Sequence, residues 1–128
     1  MIVWIDGVNG VGKSHVAAEL AEVFLDRKAE YVESDLYWMK FIKEDYVKAL
    51  SGFNPYNNKF YLVELRNVLE EMHNLGKMPI VPISLVSKLC EIELIDYFIN
   101  KSIPMIHIIL EASRETIVSR IEKDPIRE

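Results

Sequence analysis

The sequence contains one cysteine, Cys90, in 128 residues. No disulfide can form within the chain, and a reducing, cytoplasmic setting is expected. Cys90 itself reads as a small buried hydrophobe. Long apolar runs are also missing. The longest, such as Ile103 to Leu110, are far too short to span a bilayer. Met1 leads straight into Ile2-Val3-Trp4-Ile5 without the basic segment that opens a secretory signal, so no membrane partner is expected. Basic charge is in deficit, with 15 Lys and Arg against 20 Asp and Glu and a net charge of −5. That balance disfavours non-specific attraction to a phosphate backbone and argues against a nucleic-acid partner. The three histidines, His15, His73 and His107, show no metal-ligand spacing and read as structural. Repeats, linkers and low-complexity stretches are absent. Half the residues are apolar and 27 % are charged, the composition of one globular domain able to bury a core.

The remaining pattern alternates strands with helices. Ile2 to Ile5 is a short continuous apolar run, as in a strand buried on both faces. Val16, Ala17, Leu20, Val23 and Phe24 fall at helical spacing and predict a helix from Lys13 to Asp26. Glu30 to Glu33 is a second strand, with Ser34-Asp35 at its end. Leu36 to Leu50 is compatible with helix, and the turn residues of Gly52 to Asn58 predict a loop. Lys59 to Leu75 is a helix with Tyr61, Leu65, Val68, Leu69 and Met72 on one face and Gly76 at its C-cap. Met78 to Ser84 is a strand in which Pro82 is awkward, because it has no N–H for a ladder, unless pairing stops there. Val86 to Lys101 is a helix presenting Leu89, Ile92, Ile95 and Ile99. Ile103 to Leu110 is a fourth strand. Ser113 caps a last helix to Lys123, which Asp124-Pro125 ends. Such an order implies parallel pairing and a three-layer α/β/α sandwich, an α/β fold. Residues 1–128 are read as one domain, with 36–58 as a cap segment on the substrate side.

Between the first strand and the first helix lies Gly7-Val8-Asn9-Gly10-Val11-Gly12-Lys13-Ser14, which matches G-x-x-x-x-G-K-[ST]. This is the phosphate-binding loop of P-loop proteins, here in the strand–loop–helix setting that gives the motif meaning. Its glycines let the backbone curl around an anion, its N–H groups and the helix N-terminus cradle phosphates, Lys13 reaches the β- and γ-phosphates, and Ser14 ligates Mg²⁺. His15 stands where the dinucleotide fingerprint would need a glycine. The binding set is therefore Gly7 to His15, and the expected cofactors are ATP and Mg²⁺.

Other residues are candidates by position. Asp35, at a strand's carboxyl end, can orient or deprotonate a substrate hydroxyl, or simply cap the next helix. Glu33, two residues earlier, points to the same face and can reach a Mg²⁺-bound water, or is merely solvated. Ser84, after the third strand, can bond a metal-bound water or a phosphate, or make a turn. No hydrophobic run ends in Asp-Glu, so the usual second acidic motif is not evident. Tyr37, Trp38, Phe41, Tyr46, Phe53 and Tyr56 either line a pocket for a ring-bearing acceptor or form the small core of their segment. Arg120, with Lys123 on the same helix and Arg127 beyond it, either stabilises charge on a transferring phosphoryl group or is solvated.

Three blocks carry a resemblance. Met1 to Ser14, Ile80-Val81-Pro82-Ile83-Ser84-Leu85-Val86, and Glu111-Ala112-Ser113-Arg114-Glu115-Thr116 before a helix carrying Arg120 are similar to the tunicamycin-resistance ATP-binding proteins of bacteria. These resemble the small kinases acting on shikimate, gluconate and nucleotides. The resemblance implies sheet order 2-3-1-4 with a fifth strand outside the fourth. It also implies Lys13 as phosphate lysine, Ser14 as Mg²⁺ ligand, Asp35 as acceptor-side carboxylate and Arg120 at the root of a lid. Family members continue through an arginine-bearing lid, a helix and the fifth strand. This chain stops at Glu128 about where the lid would begin, and is expected to be C-terminally shortened. Its fourth strand would then be a bare edge, favouring a homo-oligomer.

Three functions compete. One is phosphoryl transfer from ATP to the hydroxyl of a small-molecule acceptor. Another is an ATP-controlled protein that sequesters a nucleoside-like antibiotic. The third is nucleoside monophosphate kinase activity, since Ile5-Asp6-Gly7 before the loop also looks like thymidylate kinases.

Overall fold

The computed structural model describes residues 1–8, 11–50, 52, 54–85 and 87–111. Four strands, β1 (Ile2–Asp6), β2 (Ala29–Tyr31), β3 (Met78–Pro82) and β4 (Met105–Ile109), form one sheet in the order β2-β3-β1-β4. Every neighbouring pair is parallel. The crossovers carry α1 (Lys13–Val23), α2 (Ser34–Glu44), α3 (Tyr46–Ala49), α4 (Lys59–Asn74) and α5, which occupies 88–100. This is the α/β sandwich that the alternating pattern implies, with the strand order 2-3-1-4 that the resemblance implies.

Alternation along β1 sets the two sides. Ile2 and Trp4 point to one face, where Phe41, Tyr61, Leu65, Leu69, Leu94 and Phe98 close over them. Val3 and Ile5 point to the other, against Ala17 and Ala21 of α1. Trp4 is fully buried and its indole N–H reaches the Met105 sulfur at 3.1 Å, so the one polar atom of the side chain is not left bare. Burying such a ring contributes about 4–6 kcal/mol before entropy is counted. α4 buries Tyr61, Leu62, Leu65, Leu69 and Met72, close to the face read from its periodicity. It ends in a Schellman turn: Gly76 (φ 80°) donates to His73 and Lys77 to Met72, both at 3.0 Å.

Several boundaries differ from the sequence reading. α1 stops at Val23, and a 3₁₀ turn, Leu25–Arg27, replaces its last residues. β2 ends at Tyr31, not Glu33, because the chain turns there into α2. α5 begins and ends with α-helical turns (Lys88–Cys90, Tyr97–Asn100), but Glu91–Asp96 is π-wound. That winding rotates the buried face onto Cys90, Glu93, Leu94 and Phe98, and leaves Ile92 and Ile99 exposed. Pro82 closes β3, as its chemistry requires. Even-numbered residues of β3 face β2: Met78 N–H donates to Lys28 and Ile80 O accepts from Val32. The Pro82 nitrogen therefore points past the end of β2, where no ladder bond is lost. The anticipated final helix, with Ser113, Arg120, Lys123 and Arg127, lies outside the described residues.

Candidate functional site

The glycine loop leaves the carboxyl end of β1, where ligands bind in parallel α/β sheets. Its start is clamped. The Asp6 carboxylate accepts the N–H of Gly7 at 2.7 Å and that of Leu85 at 3.0 Å through Oδ1, and Oδ2 lies 3.0 Å from His107 Nε2 on β4. Ser84 Oγ donates to the Gly7 carbonyl at 3.0 Å. Gly7 thus spends its N–H on Asp6. It supplies shape to the loop and not a donor to a phosphate. A Cβ on it would sit 2.8 Å from Val11 Cγ1 and 2.9 Å from the Leu110 carbonyl, at a φ of 147°. The sequence reading names Asp6 only within Ile5-Asp6-Gly7, before the loop. Its role as a clip depends on Leu85 and His107, which are distant in sequence.

Gly12 adopts the left-handed conformation (φ 96°, ψ 29°) immediately before α1, so the helix starts at Lys13 with its positive end against the loop. Val8 is exposed and Val11 buried, and Val11 N–H turns back to the Val8 carbonyl at 3.3 Å. Lys13 is only 3 % exposed, and its ammonium donates to the Val8 carbonyl at 3.2 Å. A charged amine held inside a loop of backbone dipoles, with solvent largely excluded, is poised for an anion. Asn9 and Gly10 lie outside the described residues. His15 points away, pairing with Glu19 one turn on at 3.0 Å on the exposed side of α1.

Ser14 Oγ donates to Glu33 Oε2 at 2.9 Å. The Tyr31 hydroxyl donates to the same oxygen, and Glu33 Oε1 accepts the Asp35 N–H at 3.4 Å. Glu33 is thereby the N-cap of α2 and not a strand residue. Asp35 consequently sits in the first turn of α2, not at the end of β2, and the strand rule that put the two carboxylates on one face does not apply. The turn is fixed by Ser34, a buried residue whose hydroxyl donates to the Pro82 carbonyl at 2.9 Å. The Ser34 carbonyl in turn accepts from Tyr61 OH at 2.6 Å.

Asp35 lies close enough to Tyr56 and Tyr61 for its charge to hold both phenols protonated. Burial is the larger cause for each, and the Ser84 side chain beside Tyr56 pulls the other way. Burial likewise pushes the Cys90 thiol up. The aromatic segment divides. Trp38, Phe41 and Tyr61 pack on one another with centroids 5.1–5.9 Å apart, a local core. Tyr46 is exposed. Tyr37 and Phe41 line a cleft of about 100 Å³ between α2 and α4 that includes no residue of the glycine loop. Phe53 lies outside the described residues. Among the five described aromatics of this segment, Tyr56 is the one tied to the site, through Ser84 and Asp35.

The donors suit a triphosphate with a hard cation. A cradle formed where Cβ atoms are excluded, a buried ammonium and a hydroxyl aimed at a carboxylate are what such a group needs. Among the described residues there is no cluster of three or more His, Cys, Asp or Glu side chains that could hold a metal ion. No described helix is long and apolar enough to cross a membrane.

Solved structures share this fold. The tunicamycin resistance protein of Deinococcus radiodurans superposes with a TM-score of 0.73 at 23 % identity, covering 96 % of this chain and 69 % of that one. The APS kinase CysC of Mycobacterium tuberculosis, solved with AMPPNP and APS, gives 0.71 at 19 % identity, covering 97 % and 68 %. A gluconokinase from Sinorhizobium meliloti 1021 gives 0.62 at 16 % identity, covering 96 % and 64 %. The chain thus spans about two thirds of the length of each of these structures. No family model and no curated protein sequence matches it.

Proposed function

We propose that this chain binds ATP with Mg²⁺ on the glycine loop and passes the γ-phosphoryl group to a hydroxyl of a small acceptor, as a kinase of tunicamycin-resistance type. The observation that carries the reading is Lys13: a buried ammonium donating to the Val8 carbonyl, inside a left-handed glycine turn at a helix N-terminus. Phosphate oxygens in reach of that ammonium would accept charge-assisted hydrogen bonds, which are stronger than one to a neutral carbonyl.

Each remaining residue then has a task. Ser14 and Glu33 would hold Mg²⁺, the first directly and the second through water. The bound ion would neutralise charge across the β- and γ-oxygens. Asp6 and Ser84 keep the start of the loop in register. Asp35, beside Tyr56, orients the acceptor hydroxyl and takes its proton. Arg120 keeps the role that the resemblance implies, charge stabilisation from the root of a lid.

The test is a screen of neutral and phosphorylated acceptors with γ-labelled ATP, run on the wild type and Asp35→Asn. The proposal expects label on a small-molecule hydroxyl, lost in Asp35→Asn while ATP affinity is kept. ATP and drug binding without turnover in either protein would favour the sequestering function. Transfer to dTMP or another monophosphate would select a nucleotide kinase.

A further inference from the structure

We propose that Tyr31 is the positioning residue that aims Glu33 at the cation side of Ser14. The inference rests on the reading of the loop as an ATP–Mg²⁺ site. At the end of β3 this chain carries Ser84, whose hydroxyl is committed to the Gly7 carbonyl at 3.0 Å. The carboxylate that faces Ser14 comes instead from Glu33, just beyond β2.

Glu33 has a flexible side chain, so something must fix it. Oε1 accepts the Asp35 N–H at 3.4 Å, a long bond. Oε2 carries two hydroxyl donors, Ser14 and Tyr31. When the Ser14 oxygen turns a lone pair to a cation, its proton can stay on Oε2 only if that oxygen does not move. Tyr31 is suited to hold it. Its backbone is registered against Ile80 in the sheet, and its partly buried side chain packs against the core cluster that contains Ala17, Ala21 and Ile80. The hydroxyl is therefore delivered by a rigid element, as the supporting partner of a metal site should be.

The experiment uses the whole chain as wild type, Tyr31→Phe, Glu33→Gln and the double variant. AMPPNP affinity is measured in EDTA, and Mn²⁺ affinity of the AMPPNP complex by electron paramagnetic resonance of free Mn²⁺. Tyr31→Phe keeps the ring and its packing. It is expected to weaken Mn²⁺ about three- to tenfold, the range for the net effect of one typical hydrogen bond, while metal-free AMPPNP affinity is unchanged. In the Glu33→Gln background it should cost little more, because its partner charge is gone. Unchanged Mn²⁺ affinity in Tyr31→Phe, an equal loss of metal-free binding, or a full additional loss in the double variant would each overturn the assignment. The wild-type titration in EDTA reads the nucleotide site alone. AMPPNP bound without tightening Mn²⁺ defeats this inference and spares nucleotide binding, whereas no AMPPNP binding at all defeats both.

Discussion

Ser84 Oγ donates to the Gly7 carbonyl at 3.0 Å, so the loop after β3 is stitched to the first residue of the glycine loop. The Asp6 carboxylate completes the stitch by taking the N–H groups of Gly7 and Leu85. The two contacts differ in weight. Removing Ser84 Oγ deletes a neutral bond to a carbonyl, worth about 1 kcal/mol, and its neutral contact with the Tyr56 hydroxyl. Removing the Asp6 carboxylate strips two backbone donors of a charged acceptor, at about 2–4 kcal/mol. Urea unfolding should therefore rank Asp6→Ala well below Ser84→Ala in stability. Equal midpoints for the two variants would mean that the Asp6 bonds contribute no more than Ser84.

Gly7→Ala should damage both fold and binding. The new methyl meets Val11 Cγ1 and the Leu110 carbonyl below 3.0 Å, at a φ that a side chain resists. A loss of about 2–4 kcal/mol is expected, with ATP affinity falling more than tenfold. Gly76→Ala is the control: it also has positive φ but nothing within 4 Å, so it should cost about 1 kcal/mol and leave ATP affinity alone. Calorimetric titration alongside thermal unfolding checks both.

Asp35 and Tyr56 can be tested by alkaline titration. Tyr56 is raised above the ordinary value of 10.0 by burial first and by the Asp35 charge second. A raised phenol pKa in the folded state means that the native form holds its proton more tightly. That contribution to stability is complete below pH 10 and is lost as pH rises through the folded pKa. Asp35→Asn removes the second of the causes that raise it. In phenolate absorbance compared with a Tyr56→Phe reference, the Tyr56 midpoint should move down toward its ordinary value. An unmoved midpoint would place Asp35 too far away to serve the acceptor side.

Much of the site was legible because it is local. The glycine spacing, the buried run before it, and the amphipathic α4 stopped by Gly76 each depend on a few neighbouring residues. The misreadings came where distant contacts decide. Nothing near Glu33 announces that β2 stops at Tyr31. Ser34 bonds to Pro82 across the sheet and turns the chain into α2, which makes Glu33 a cap and moves Asp35 into a helix. The face of α5 was misread because its π-wound middle breaks the 3.6-residue period on which the apolar spacing was judged. Tyr31 gave no signal beyond an ordinary strand tyrosine, since its partner oxygen belongs to a cap. The resemblance supplied the sheet order, which periodicity alone does not fix.

The account turns on whether the buried Lys13 ammonium receives a triphosphate. The direct measurement is calorimetric titration of ATP, with and without Mg²⁺, into the wild type and Lys13→Ala, with circular dichroism to show that both are folded. The wild type should bind, and Lys13→Ala should lose binding with its spectrum unchanged. Equal affinity in the two folded proteins, or a folded wild type that takes up no ATP, would contradict it.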